Sequence, residues 1–174
     1  VWDGNTGNHV QTLVNSSPVN ALSWSPDGTK LAADVDGIKI WDANTFVELQ
    51  ALQASGDISW NPSSSSIAVS SRDTVTIWDT VSGMLLNQLG DHGGSNIQDI
   101  AWHPSQNYIL GIGDQGEIWI WDAASGSLLN TLSSGLDSAI NVDWRPDGNK
   151  FVVTTLLGFG VVFADQSMVT GQPP

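Results

Sequence analysis

"RDTVTIWDTVSG", residues 72–83, sets an alternating apolar run directly before a Trp-Asp pair and then closes on Ser82-Gly83. Alternation with a period of two is strand patterning, and Asp followed within a few residues by Gly is turn chemistry. A single ending of this kind carries little information. This chain has four, Trp2-Asp3, Trp41-Asp42, Trp78-Asp79 and Trp121-Asp122, at intervals of 39, 37 and 43 residues.

A second series runs beside the first: "WSPDG" at 24–28, "WNPSS" at 60–64, "WHPSQ" at 102–106 and "WRPDG" at 144–148. Its members Trp24, Trp60, Trp102 and Trp144 precede the next Trp-Asp pair by 17, 18 and 19 residues, and an offset of 19 from Trp144 falls on Phe163. Two markers that keep step in this way define an internal repeat. Each interval reads as four short antiparallel strands. "VNALSW" and "INVDW" alternate apolar and polar residues, Pro-Asp-Gly at 26–28 and 146–148 supplies a tight turn, and "KLAAD", "SIAVS", "YILGI" or "KFVVT" follows as the second strand. The third strand is "GIKIW", "TVTIW", "EIWIW" or "GVVF", and the fourth "HVQTL", "MLLNQL" or "SLLNTL". Helical periodicity is absent.

A four-stranded sheet has two faces and cannot bury both alone, so the repeat predicts sheets packed face to face with the aromatic residues between them. In its paired markers the sequence resembles the WD-repeat β-propellers, over essentially the whole chain up to about residue 165. The resemblance implies an all-β fold, a partial β-propeller of about four four-stranded antiparallel blades, acting as a non-catalytic platform on which proteins or peptides assemble. On that reading residues 1–14 are the last strands of a preceding blade. Residues 15–53, 54–90 and 91–134 are blades, 135–165 a blade without a clear fourth strand, and 166–174 a tail.

The sequence departs from the family pattern in two ways. Members of the family carry a buried tetrad of a Gly-His histidine, a second-strand Ser or Thr, a hairpin Asp and the third-strand Trp. Here only His92, ten residues before Trp102 and preceded by Asp91 rather than Gly, matches the histidine, and no blade has the full set. Four blades also do not close a ring of the family's usual curvature. The first unit brings a surplus outer strand at 9–13 and the last lacks one. The expectation is a piece of a larger propeller, or copies that complete one another.

Composition narrows the function classes. The net charge is −13, with 18 acidic residues against five Lys and Arg, which argues against nucleic acid or an anionic membrane surface and favours a protein partner with a basic face. The chain has no Cys, so no disulfide framework, zinc-thiolate site or thiol nucleophile is available. Sixteen of the acids are Asp, and Lys is scarce beside Ser, Asn, Thr and Gly, a slight lean towards an extracytoplasmic surface that leaves the compartment open. Residue 1 opens in mid-pattern, without a charged leader. "FVVTTLLGFGVVFA", 151–164, is too short and too broken by Thr and Gly for a membrane span and reads as two buried strands.

The remaining motifs read as structure. "GIGDQG", 111–116, matches a dinucleotide loop but precedes a strand, not the helix such a site requires. "DVDG", 34–37, begins like a calcium loop but continues with Ile38 and reads as a hairpin turn. "NSS", 15–17, is a glycosylation acceptor only in a secreted eukaryotic protein. His9, His92 and His103 lie in separate units without metal spacing, so no cofactor, catalytic residue or metal ligand is expected. Candidate interaction residues are Trp119, which either packs on the next blade or stands out as an aromatic anchor, with Arg72 and His92. Two other functions remain open: an extracellular carbohydrate- or calcium-binding module, favoured by exposed aromatics beside Asp clusters, and a propeller-hosted enzyme, favoured by His and carboxylates converging at the channel mouth.

Overall fold

The computed structural model describes residues 1–13, 17–90, 92–135, 138–156, 158 and 160–164. Among them are fifteen strands in four antiparallel sheets. The first sheet holds β1 (Ala21–Trp24), β2 (Lys30–Asp34), β3 (Ile38–Asp42) and β4 (Glu48–Leu52). The second holds β5 (Asp57–Trp60), β6 (Ser66–Ser71), β7 (Thr74–Asp79) and β8 (Leu85–Leu89). In the third are β9 (Ile97–Trp102), β10 (Tyr108–Gly113), β11 (Glu117–Asp122) and β12 (Leu128–Ser133), and in the fourth β13 (Ala139–Trp144), β14 (Lys150–Thr155) and β15 (Gly160–Ala164). Strands pair in chain order within each sheet, as short turns dictate. β1 lies against β5, β5 against β9 and β9 against β13, while β4, β8 and β12 are sheet edges. The first strands therefore converge and the last splay outward, as in the blades of a propeller.

The core lies between sheets, because each sheet alone leaves a face bare. Ile38, Ile40 and Leu52 of the first sheet bury against Trp60, Ile67 and Val69 of the second. Val75, Ile77 and Leu89 of the second meet Trp102, Trp119 and Trp121 of the third. Leu110, Ile118 and Ile120 of the third meet Val142, Trp144 and Phe151 of the fourth. Polar bonds fix the same seams: the Trp60 indole Nε1–H donates to the Ser23 carbonyl at 3.2 Å, and that of Trp144 to the Ala101 carbonyl at 3.2 Å. The middle seam differs, since the Trp102 backbone N–H donates to Ser59 Oγ at 2.8 Å and its Nε1 finds no partner among the described residues.

The Asp of each Trp-Asp pair caps the turn that follows. Oδ1 of Asp3, Asp42, Asp79 and Asp122 accepts the backbone N–H three residues on, from Thr6, Thr45, Ser82 and Ser125, at 2.7 Å in every case. These bonds hold the carboxyls of Asp3, Asp42 and Asp79 below the usual carboxylate range, because they favour the charged form. The predicted strand at 9–13 is reduced to one bridge, Trp2 to His9, with the Val10 N–H donating to the Val1 carbonyl at 3.0 Å. An isolated hairpin is marginal without a third strand, which accounts for the loss of regular pairing.

"GIGDQG" is explained by packing. Gly111 and Gly113 lie within β10 beneath two indoles: a Cβ on Gly111 would sit 2.5 Å from Cζ3 of Trp121, and one on Gly113 would sit 2.6 Å from Cη2 of Trp119. Glycine is needed here because the rings occupy the space of the missing side chains. Two buried titratable groups hold the seam between the third and fourth sheets. Asp99 accepts from the Ile100 and Val142 N–H groups, each at 2.8 Å. Burial nevertheless pushes its carboxyl up to about 6, with smaller contributions from the charges of Asp57 and Asp143. His103 accepts the Ser105 and Gln106 N–H groups on Nδ1, at 3.2 and 3.0 Å, so its Nε2–H donates to the Gly148 carbonyl at 3.2 Å. This neutral tautomer is the one burial favours, and its basicity is lowered accordingly.

Two outcomes are expected. Gly111→Ala forces Trp121 to move and should cost about 1–3 kcal/mol, read as a lower urea midpoint with an unchanged slope. The raised Asp99 value means that its contribution is largest below the ordinary carboxylate value of 3.8 and is lost as pH rises through about 6. The chain should therefore gain stability relative to Asp99→Asn, by about 1–3 kcal/mol, as pH falls from about 7.5 to about 5, measured by urea unfolding. His103 acts in the opposite sense in both proteins and cancels from the difference.

Candidate interaction surface

Four equivalent tryptophans show which sheet face is bare. Trp60, Trp102 and Trp144 close the first strands of the second, third and fourth sheets and are 6, 7 and 8% exposed, each covered by the sheet before it. Trp24, at the same place in the first sheet, is 46% exposed. Two positions upstream the contrast repeats, with Leu22 at 66% against 4% for Ile100 and 4% for Val142. β1 thus presents to solvent the apolar stripe that its counterparts bury.

The face is only half uncovered. Leu13, from the N-terminal hairpin, packs against Ala33, Val35 and Trp41, on the outer part of the first sheet. Between that hairpin and β1 lies a groove of about 510 Å³, lined among others by Trp2, Leu13, Val19, Leu22, Trp24 and Trp41. Its lining is mainly apolar, and Trp2 and Val19 at its margin are 68 and 52% exposed. Contiguous apolar surface of this kind marks a contact site.

Of the candidate residues named from sequence, Trp119 and His92 meet in the interior, and Arg72 stands apart from them at the surface. Trp119 is 2% exposed and belongs to the interior, packing against the second sheet, the one that precedes it and not the next. It is no surface anchor, because residues of β11 that face the second sheet are buried by it. His92 lies edge-on to Trp119 and Trp121, with centroids 5.5 and 6.5 Å apart, and neither ring nitrogen has a partner among the described residues. Arg72 is exposed in the β6–β7 hairpin, where its carbonyl accepts the Ile97 N–H at 2.7 Å. Among the third-strand tryptophans, Trp41 and Trp121 are buried and Trp78 is half-buried, its Nε1–H donating to Thr76 Oγ1 at 2.9 Å.

No group of three or more His, Asp or Glu among the described residues is placed to hold a metal ion. Asp34 of "DVDG" is 2% exposed, and its carboxylate accepts from Ser55 Oγ at 2.9 Å and the Gly56 N–H at 3.1 Å. It ties β2 to the connection leading into the second sheet. Asn15 and Ser16 of "NSS" lie outside the described residues. Sequence reasoning missed Val19 and Leu22 and treated Trp24 only as a repeat marker. The available signal was the alternation of "VNALSW", which sets Leu22 and Trp24 on one face of β1.

Comparison with known proteins agrees with this architecture. The family model described as eukaryotic translation initiation factor eIF2A matches residues 38–158, and that of the WD domain, G-beta repeat, matches residues 7–42. The chain is 27% identical over 117 residues to the chromatin assembly factor 1 subunit FAS2 homolog of Oryza sativa subsp. japonica, covering 60% of this chain and 23% of that protein. It is 41% identical over 54 residues to the small ribosomal subunit protein RACK1 of Caenorhabditis elegans, covering 30% of this chain and 17% of that one. Against the U5 small nuclear ribonucleoprotein 40 kDa protein of Pongo abelii the identity is 43% over 53 residues, covering 30% and 15%. The chain thus spans less than a quarter of the length of these relatives. With four antiparallel sheets stacked through repeated tryptophans, and with well over half of its residues matched by one family model and its first repeat by the other, the chain belongs to the WD-repeat β-propeller family.

Proposed function

We propose that this chain is a non-catalytic propeller segment that serves as a protein assembly platform, and that the uncovered face of β1 is where the array continues. The carrying observation is the exposure of Trp24, 46%, where Trp60, Trp102 and Trp144 are each covered by a preceding sheet. What supports another blade as the occupant is that the equivalent tryptophans of the other three sheets are each covered by a sheet. Residues 1–14 read as an outer part of that blade, since Leu13 packs on Ala33, Val35 and Trp41 while Leu22 and Trp24 of the first strand stay exposed. The repeat units 15–53, 54–90, 91–134 and 135–165 each contain one of the four sheets, which supports dividing the chain there. The missing inner strands come from the remainder of a larger propeller or from a second copy.

The relatives are named for multi-component assemblies: a chromatin assembly factor, a ribosomal subunit and a ribonucleoprotein. A scaffold role carries over in kind. The net charge of −13 favours contact with a basic protein face over contact with nucleic acid.

The test is the mass of the 174-residue chain across a concentration series, beside Leu22→Ser with Trp24→Ser. Association beyond the monomer is expected, weakened about tenfold or more in the double variant by the loss of apolar contact. A chain that stays monomeric at every concentration, its urea midpoint unmoved by the substitutions, would overturn the assembly face.

A further inference from the structure

The fourth strand of each complete sheet carries the same irregularity at the same place. Trp41 pairs with Glu48 while Ile40 pairs with Gln50, so Leu49 is left without a partner across the strands. In the second sheet Trp78 pairs with Leu85 and Ile77 with Asn87, leaving Leu86. In the third, Trp121 pairs with Leu128 and Ile120 with Asn130, leaving Leu129. A one-residue bulge inserted three times, each time at a leucine, re-aims a side chain that a regular strand would hold in register. The three leucines are 49, 55 and 41% exposed. Bulges also blunt a sheet edge, but that role does not require an exposed apolar residue at the bulge.

The exposed leucines have apolar neighbours on the first two sheets. Val47 is 60% exposed, Val81 78% and Met84 66%. The two sets adjoin, because Gln50 of β4 donates through Nε2 to the Val81 carbonyl at 3.1 Å, across the seam. The turn carrying Val81 is held by Asp79, and the patch is flanked by carboxylates at Asp42, Asp79 and Glu48. Asp42 and Asp79 border it directly, their backbone N–H groups donating to the Val47 and Met84 carbonyls at 3.0 and 2.9 Å. The one cation on these two outer strand pairs, Lys39, is tied to Glu48 at 3.2 Å. Lys30 is spent elsewhere, on the Ser64 carbonyl at 3.0 Å.

We infer that Val47, Leu49, Val81, Met84 and Leu86 form a second docking surface on the outer rim, fitted to a basic amphipathic peptide segment of a partner protein. The bulged leucines and Met84 receive the apolar face of such a segment, and the rim carboxylates receive its Lys and Arg. Met84, unbranched and polarizable, beside exposed leucines suits an adaptable apolar contact. The charge arrangement selects the sign of the partner, since Lys39, the one cation on these strands, is already paired with Glu48 while Asp42 and Asp79 add negative charge. The inference rests on the scaffold reading but uses a different surface from the β1 face.

The probe is a fluorescent helical peptide of about 18 residues with leucine on one face and lysine on the other. It is titrated with the 174-residue chain, beside a scrambled peptide of equal composition and one with glutamate for lysine. The expected result is saturable binding of the first peptide, weakened about tenfold or more by Met84→Ser with Leu86→Ser and less by Leu49→Ser alone. Binding should also weaken as salt rises. All substituted side chains are exposed, so an unchanged urea midpoint is expected and separates loss of the surface from loss of the fold. Equal binding of the scrambled peptide, or an affinity indifferent to all three substitutions, would show attraction by net charge alone and overturn the proposal. Self-association that disappears in Leu86→Ser would assign the rim to a second copy, and would overturn it too. Leu22→Ser with Trp24→Ser should leave peptide binding intact, so failure at the rim is distinguishable from failure of the β1 assembly face.

Discussion

Burial of one sheet's first-strand tryptophan under the sheet before it is the contact on which everything else in this molecule depends. No single sheet here has an interior. Trp60, Trp102 and Trp144 become core residues only because a neighbouring sheet lies over them, and the Ile, Val and Leu clusters around them belong to two sheets at once. Stability in such an array is a sum of seams, not the property of one central core. The seams are alike in apolar content and unlike in polar detail. Two place an indole N–H on a carbonyl, and one uses a serine hydroxyl to take a backbone N–H.

The same constraint accounts for what is exposed. Where no neighbouring sheet among the described residues lies over a first strand, the surface that makes seams is exposed, as at Leu22 and Trp24. The propeller geometry leaves a second kind of surface as well. First strands converge, so fourth strands diverge, and their outer edges meet no neighbour. It is on those divergent edges that the bulged leucines stand. One surface continues the fold and the other has no place in it, which is why they call for different partners: a sheet at the first, a charged amphipathic segment at the second.

The family's buried tetrad is absent, yet each blade keeps its shape, and the residues that replace it are local. The aspartate caps its own turn at each of the four Trp-Asp pairs, which lie in the N-terminal hairpin and the first three sheets. His92, the one residue that matched the tetrad histidine, sits edge-on to two indoles. Asp34 and His103 secure the seams on either side by accepting or donating to the backbone of the next unit. Blade integrity here comes from turn capping and aromatic packing, with little contribution from a side-chain network running through each blade.

The repeat, the strand order and the turn positions were legible in the sequence, because they follow from local chemistry: alternation, Pro and Gly in turns, and an aspartate with N–H groups three residues on. The strand after "GIGDQG" was legible too, although the reason for Gly111 and Gly113 is the pair of indoles that occupy their Cβ positions. What the sequence could not decide was which of several equivalent side chains would be covered. Trp24 and Trp102 hold the same place in the repeat and differ about sixfold in exposure, because a neighbouring sheet, tens of residues away in the chain, lies over one and not the other. Trp119 was ambiguous for the same reason. The bulges were hidden in "ELQAL", "LLNQL" and "LLNTL", since a run of apolar residues does not say where pairing slips by one. Local pattern determined the blades; only the stacking of one sheet on another decided which of their residues are interior and which face a partner.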